Sequence, residues 1–157
     1  MDPLFELALV VKAAQRELDR RSNDAMRPLG LTGAQADALT VIRQTQPISL
    51  KDLGDLLIAE AGHPSRLVDR LVESGWVERR EAKNDRRRVV LSLTPTGRRL
   101  ETRAAKARQQ LLDLGHTLIG DRDLEAPTEL LRDLLQFSAF AELLRRRREL
   151  FERDERR

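Results

Sequence analysis

The chain has 157 residues, of which 40% are hydrophobic and 35% charged, with a formal net charge of +3 at pH 7. This composition suits one globular domain, or one with helical extensions, whose core needs no disulfide or structural metal. The lack of cysteine excludes thiol-based sensing and thiolate metal sites. No apolar run reaches the roughly 20 residues that span a bilayer, so we expect a cytoplasmic protein without a membrane partner.

The N-terminal segment is predicted to be a long helix. A helix over about 3–27 is indicated by apolar residues at spacings of three and four, a heptad-like seam. These residues are Leu4, Leu7, Val11, Ala14 and Leu18. Pro28 and Gly30 predict its end.

Three shorter helices are predicted next. Thr32 and Gln35 have the spacing of a capping box, which marks the first of them. Ser49 is an N-cap for the second. Pro64 suits the first position of the third, which ends near Gly75.

A basic hairpin follows. Trp76–Arg79 and Val89–Leu93 are rich in strand-forming residues and predict two strands, joined by a loop around Lys83–Arg86. Between Glu78 and Arg88 there are six basic and three acidic residues, so this segment alone carries a net charge of +3. Such a local basic patch on a nearly neutral chain indicates contact with a polyanion at one place.

Two long helices are predicted to complete the chain. Thr94 and Pro95 mark the start of the first, and Gly120–Pro127 connects it to the second. Both helices carry apolar seams at alternating spacings of four and three. The seams comprise Leu100, Ala104, Ala107, Leu111, Leu114 and Leu118, then Leu130, Leu134, Phe137, Ala141 and Leu144.

This order of elements predicts a mainly α (α+β) fold. A winged helix-turn-helix domain over 29–97 is flanked by helical regions at 1–28 and 98–148, with a charged C-terminal tail at 149–157. Because one short domain does not satisfy both terminal seams, we expect them to pack together in a two-fold homodimer.

The predicted elements bring together residues suited to double-stranded DNA. The second helix of a helix-turn-helix presents its N-terminal residues to the major groove, and arginine is the commonest reader of guanine. Arginines on the hairpin suit the adjacent minor groove, and the neighbouring aspartate is expected to shape the turn. The expected DNA-binding residues are His63, Ser65, Arg66, Arg70, Asp85, Arg86, Arg87 and Arg88.

Each motif also has a purely structural interpretation. A basic hairpin is often a solvated loop, and on the helix Arg66 could pair with Asp69, or Arg70 with Glu73. The conjunction of two capped helices, a polar helix start and a basic hairpin favours DNA binding. No nucleophile–base pair, phosphate loop or metal cluster is evident in the sequence. We therefore expect no enzyme activity, cofactor or metal.

Four segments between Leu29 and about Leu100 read LGLTGAQADALTVI, SLKDLGDLL, SRLVDRLVESGWVERRE and NDRRRVVLSLTPTGRRL. In these segments the chain resembles the MarR family of bacterial winged-helix regulators. The resemblance implies a homodimer that binds pseudo-palindromic operators and usually represses transcription. It also implies that a small anionic or phenolic ligand, bound between the dimer helices and the DNA-binding lobe, relieves repression. The alternative is a DNA-binding regulator or architectural protein without an effector.

The resemblance also assigns residues by position. Ser65, Arg66 and Arg70 match the recognition helix of the family, while Asp85, Arg86 and Arg87 match its wing motif. Arg88 extends the basic run where many members have an uncharged residue. His63 and Pro64 depart from the usual Ser/Thr-rich start of the recognition helix, which bears on base specificity rather than on DNA binding.

Overall fold

The computed structural model of the chain describes residues 1–59, 64–82 and 85–154, apart from the side chains of 85–87 and 153–154. The helices and strands follow the predicted order. They are α1 (Pro3–Met26) with a 3₁₀ turn (Arg27–Leu29), α2 (Gly33–Thr45), β1 (Ile48–Ser49), α3 (Leu50–Gly54), α4 (Ser65–Glu73), β2 (Val77–Ala82), β3 (Asp85–Leu93), α5 (Pro95–Ile119), α6 (Glu125–Leu135) and α7 (Ala139–Asp154). The mainly α fold with a small sheet agrees with the sequence prediction.

Side-chain caps begin several helices where the sequence predicts them. The Thr32 hydroxyl accepts a hydrogen bond from the Gln35 backbone amide, and the Thr32 amide donates one to Oε1 of the Gln35 side chain, which completes the capping box. Ser49 caps α3 through the amide of Asp52. Thr94 caps α5, with Pro95 at the first helical position.

The core joins α2, α3, α4 and the sheet to the beginning of α5. Its members are fully or nearly buried apolar side chains. The most buried include Leu39, Ile42, Leu53, Leu57, Val68, Leu71, Leu91 and Leu93. Leu100 and Ala104 extend this core along α5. The first three turns of α5 therefore belong to the same packed unit as the helix-turn-helix.

The sheet has three strands in the order β1–β3–β2, all antiparallel. The sequence predicts two strands and misses β1, because a two-residue strand leaves no period-2 pattern to detect. Ile48 and Ser49 pair with Leu91 and Val90, so β1 anchors the start of α3 to the hairpin.

The C-terminal region differs from the single helix predicted there. A break at residues 136–138 separates α6 from α7, and α7 continues as a helix to Asp154, into the segment predicted as a charged tail. Leu143 on α7 is only 5% exposed, whereas Phe137 at the break is 95% exposed. The predicted seam is therefore divided: α7 packs on the helix-turn-helix lobe, formed by α2, α3, α4 and the sheet, whereas α6 leaves Leu130, Leu131 and Leu134 exposed.

Candidate nucleic-acid interface

The helix-turn-helix is formed by α3 and α4, which meet at a close contact. A Cβ on Gly54 would lie 3.0 Å from the ring of Pro64, tighter than most Cβ contacts, so glycine suits the close approach of α3 to the start of α4. Pro64 is buried and directly precedes Ser65, the first residue of α4. This contact fixes where the second helix begins.

The helix α4 is strongly two-sided. Leu67, Val68 and Leu71 are buried against the core, whereas Ser65, Arg66 and Arg70 are exposed. Burial of the apolar face leaves the polar face with one orientation, outward from the lobe. The structure thus places these three predicted site residues together on the solvent-exposed face of α4.

A salt bridge joins α4 to the hairpin. Arg79 on β2 donates from Nη2 to Oδ1 of Asp69 at 2.5 Å. Asp69 therefore pairs with Arg79 on the sheet. It does not pair with Arg66, which was the structural interpretation of the sequence. Among the side chains that the structure describes, Arg66 and Arg70 form no ion pair, and the alternative pairing of Arg70 with Glu73 does not occur either.

The arginine triplet lies within a strand and not at the tip of a loop. On β2, Glu81 pairs with Val89, and the next residue, Ala82, pairs with Asp85. Three extra residues on β3, 86–88, thus stand between these two pairs and form a bulge. Asp85 and Arg86, predicted in the loop, belong to β3 because strand pairing resumes beyond the bulge. Bulges bend a strand and redirect its side chains.

Of the predicted wing residues, Arg88 has a side chain that lies within the described part of the chain. Arg88 is exposed and forms no ion pair with any described residue. The side chains of Asp85, Arg86 and Arg87 fall outside the description, as does His63 entirely. The placement of these four side chains stays a prediction.

Contacts between α2 and α5 help to position this surface and are not evident from the sequence pattern. Buried Glu101 on α5 accepts a hydrogen bond from Arg43 on α2 at 2.9 Å, and Arg108 donates to the Thr40 hydroxyl at 2.6 Å. These polar contacts tie α2 to α5 in addition to the shared apolar core. The signal in the sequence is a charged residue, Glu101, directly after Leu100 of the apolar seam, which indicates a partner on a neighbouring helix.

A cavity of about 330 Å³ lies between α7 and the lobe. Its lining combines apolar side chains with one arginine and two carboxylates. The lining residues are Thr45, Pro47, Ile48, Asp52, Leu56, Arg146, Glu149 and Leu150. Within the described ranges no cluster of three or more histidines and carboxylates has a geometry suited to a metal ion, and no helix there has the length and apolarity to cross a bilayer.

Comparisons with known proteins agree with this geometry. Residues 31–97 match the profile of the family described as "Winged helix DNA-binding domain". The multiple antibiotic resistance protein MarR of Escherichia coli is 35% identical over 94 residues, which are 60% of this chain and 65% of that protein. The aligned segment thus spans slightly less than two thirds of that relative.

Solved structures extend the likeness over most of the chain. The crystal structure of a mutant MarR from Escherichia coli in complex with operator DNA superposes with a TM-score of 0.72 at 30% identity, covering 84% of this chain and 95% of that one. The transcriptional repressor CouR, bound to a 23-mer DNA duplex, shares the fold with a TM-score of 0.71 at 24% identity, over 85% of this chain and 96% of its own. This chain belongs to the MarR family of winged-helix transcriptional regulators.

Proposed function

We propose that the protein is a homodimeric, sequence-specific regulator that binds double-stranded operator DNA through α4 and the wing, in the cytoplasm. The observation that carries the proposal is the exposed, unpaired state of Arg66 and Arg70 among the described side chains, beside a hairpin held in place by Asp69 and Arg79. Cations without a protein partner suit phosphate oxygens and guanine edges.

The bulge in β3 supports a role for the wing. Three consecutive arginines repel each other, and their backbone lies in the bulge, outside the regular ladder, which suits a run of charge that DNA can neutralise. Asp85 pairs with Ala82 across the base of the bulge and so belongs to the backbone that shapes it. We assign Arg86, Arg87 and Arg88 to contact with the phosphates or the minor groove.

The homodimer is proposed from apolar surface on three helices. Leu4 and Leu18 on α1, Leu118 on α5 and Leu134 on α6 are each at least 57% exposed. Soluble monomers rarely expose contiguous apolar patches beyond a few hundred Å². A second copy of the chain would cover these seams by two-fold packing. The dimer would then hold two reading heads, each formed by α4 and the wing of one protomer, about one helical turn, roughly 10 bp, apart.

Duplex binding tests the proposal directly. The wild-type protein is used to select duplexes from a random pool, and affinity is then measured by fluorescence anisotropy at several salt concentrations. We expect Arg66→Ala to cost about 1–3 kcal/mol and to relax base preference at one position, and Arg87→Ala to weaken binding to all sequences and to reduce the salt slope by about one. Arg145→Ala, on the exposed face of α7, is the matched control and should leave binding unchanged.

The outcomes separate this proposal from its competitors. Failure of the wild type to bind any duplex at low salt would favour a protein-interaction module. Unchanged affinity in both arginine variants would remove the site assignment while leaving DNA binding intact. Light scattering on the wild type and on Leu134→Asp tests the dimer, with Val89→Asp on the exposed face of β3 as control, because only the substitution on the seam should lower the mass.

Response to a ligand is a separate part of the proposal. Family membership supports repression that is relieved by a small anionic or phenolic molecule, and the cavity beside Arg146 is large enough for a single aromatic ring. Thermal shifts with benzoate and phenol test it, because ligand that binds only the folded state raises the melting temperature with concentration. Absence of any shift, with duplex binding unaffected, would favour the alternative of a regulator without an effector.

A further inference from the structure

Helix α7 carries one nearly buried arginine in a run of four. The side chain of Arg147 is 16% exposed, whereas that of Arg145 is 60% exposed. Arg147 lies between Leu143 and Leu150 on the face of α7 that packs against the lobe. An arginine so placed is held by specific partners, because burial of an unpaired charge is strongly unfavourable.

The partners of Arg147 lie on two different parts of the helix-turn-helix lobe. Nη2 donates to Oδ1 of Asp37 on α2 at 2.6 Å, and Nη1 lies 3.3 Å from Oδ2 of the same carboxylate, a two-point contact. Nη1 also approaches the backbone carbonyl of Leu56, just after α3, at 3.4 Å. The guanidinium stacks over the ring of Phe151, 5.5 Å from its centroid.

These contacts connect the reading head to α6, one of the helices assigned to the proposed dimer interface. Leu56 follows the first helix of the helix-turn-helix, and Gly54 in that helix packs on Pro64 at the start of α4. On its other side α7 follows α6, which exposes Leu130 and Leu134. A displacement of α7 would therefore shift its contact with the turn after α3. The helix-turn-helix would then move relative to α6 and the other helices assigned to the dimer.

We propose that Arg147 is a positioning residue that clamps α7 onto α2 and onto the turn after α3, and so sets the separation at which a dimer presents its two reading heads. The proposal rests on the proposed function of the chain as a dimeric DNA-binding protein. It assigns α7 to the reading lobe rather than to the dimerisation region. Arg147 itself touches no DNA.

The test measures preference for half-site spacing, which a general loss of stability does not change. The duplex selected by the wild-type protein is rebuilt with half-site centres 9, 10 and 11 bp apart, and affinities are measured by anisotropy at one salt concentration. Arg147→Met keeps the aliphatic length and removes the charge. We expect the ratio of affinities between the preferred and the altered spacings to fall at least about threefold in this variant. Arg145→Met should keep the wild-type ratio, because the described partners of Arg145, Glu142 and Glu149, both lie on α7.

The reversed pair gives an independent check. Asp37→Arg combined with Arg147→Asp rebuilds the ion pair and should recover part of the lost spacing preference, which Asp37→Arg alone should not. The proposal is overturned if folded Arg147→Met keeps the wild-type ratio, or if Arg145→Met changes it equally. If Arg147→Met does not fold, Asp37→Asn is measured in its place and an unchanged ratio overturns the proposal. Selection of no duplex by the wild type would instead refute the proposed function.

Discussion

Replacement of Gly97 by alanine tests how α5 is joined to the hairpin. A Cβ at this position would lie 1.9 Å from the carbonyl oxygen of Trp76 and 2.8 Å from its carbon. Since Cβ atoms do not approach other heavy atoms within 3.0 Å, the first turn of α5 would have to move by at least about 1.1 Å. The obstacle is backbone, so no side-chain rotation relieves it.

The energetic effect follows from three contributions. Overpacking against a fixed group costs up to about 3 kcal/mol. The movement also strains the cap of α5, where Thr94 accepts from the Gly97 amide at 3.0 Å and donates to the Gly75 carbonyl at 2.7 Å, a cost of about 1 kcal/mol. Alanine returns at most about 1 kcal/mol through its higher helix propensity. We expect a net loss of about 3 kcal/mol, or roughly 6–12 °C in melting temperature for a chain of this size.

Urea and thermal unfolding at one fixed protein concentration measure this loss. Gly115→Ala in the same helix is the matched control, because nothing lies within 4 Å of its Cβ position. That substitution should stabilise the protein by up to about 1 kcal/mol. The two alanines are thus expected to act with opposite sign. Wild-type or higher stability in Gly97→Ala would refute the packing argument.

The remaining predictions concern polar contacts. Asp69→Asn removes an exposed ion pair, so the unfolding free energy should fall by only about 0.5 kcal/mol while duplex affinity falls more; equal losses in both measurements would contradict a positioning role. Arg43→Met deprives the buried carboxylate of Glu101 of its charged donor and should destabilise the chain by about 1–3 kcal/mol in urea unfolding, whereas Arg20→Met, at an exposed ion pair, should change little. Hydrogen bonds from Arg20, then from Arg21, lower the pKa of Glu17 to about 2, which carboxyl NMR titration should detect; a midpoint near 4.5 would count against these contacts. Because the folded pKa is lowered, any contribution of Glu17 to stability is present above pH 4.5 and is lost as the pH falls toward 2.

The sequence predicts the helix starts well because their causes are local. Thr32, Ser49 and Thr94 each act within three residues of themselves, and the structure shows all three caps. The inward faces of α2 and α4 were equally predictable, since an amphipathic period needs no knowledge of the partner. The basic hairpin was recognisable from composition and turn residues.

The features that the sequence did not reveal depend on contacts between distant residues. The bulge in β3 is a matter of register, which only the pairing of Ala82 with Asp85 defines. The partner of Asp69 is ten residues away on a strand and not one turn away on its own helix. Nothing in four consecutive arginines indicates that Arg147, and not a neighbour, would meet Asp37, 110 residues earlier.

The helix α5 runs without interruption from the base of the wing to Ile119, a length of roughly 37 Å for its 25 residues. One end is locked into the core by Leu100 and Ala104, and the other carries exposed leucines. The helix therefore acts as a lever. If α5 tilts by only about 5° about its leucine end, the wing at the other end moves by roughly 3 Å, close to the rise of one base pair.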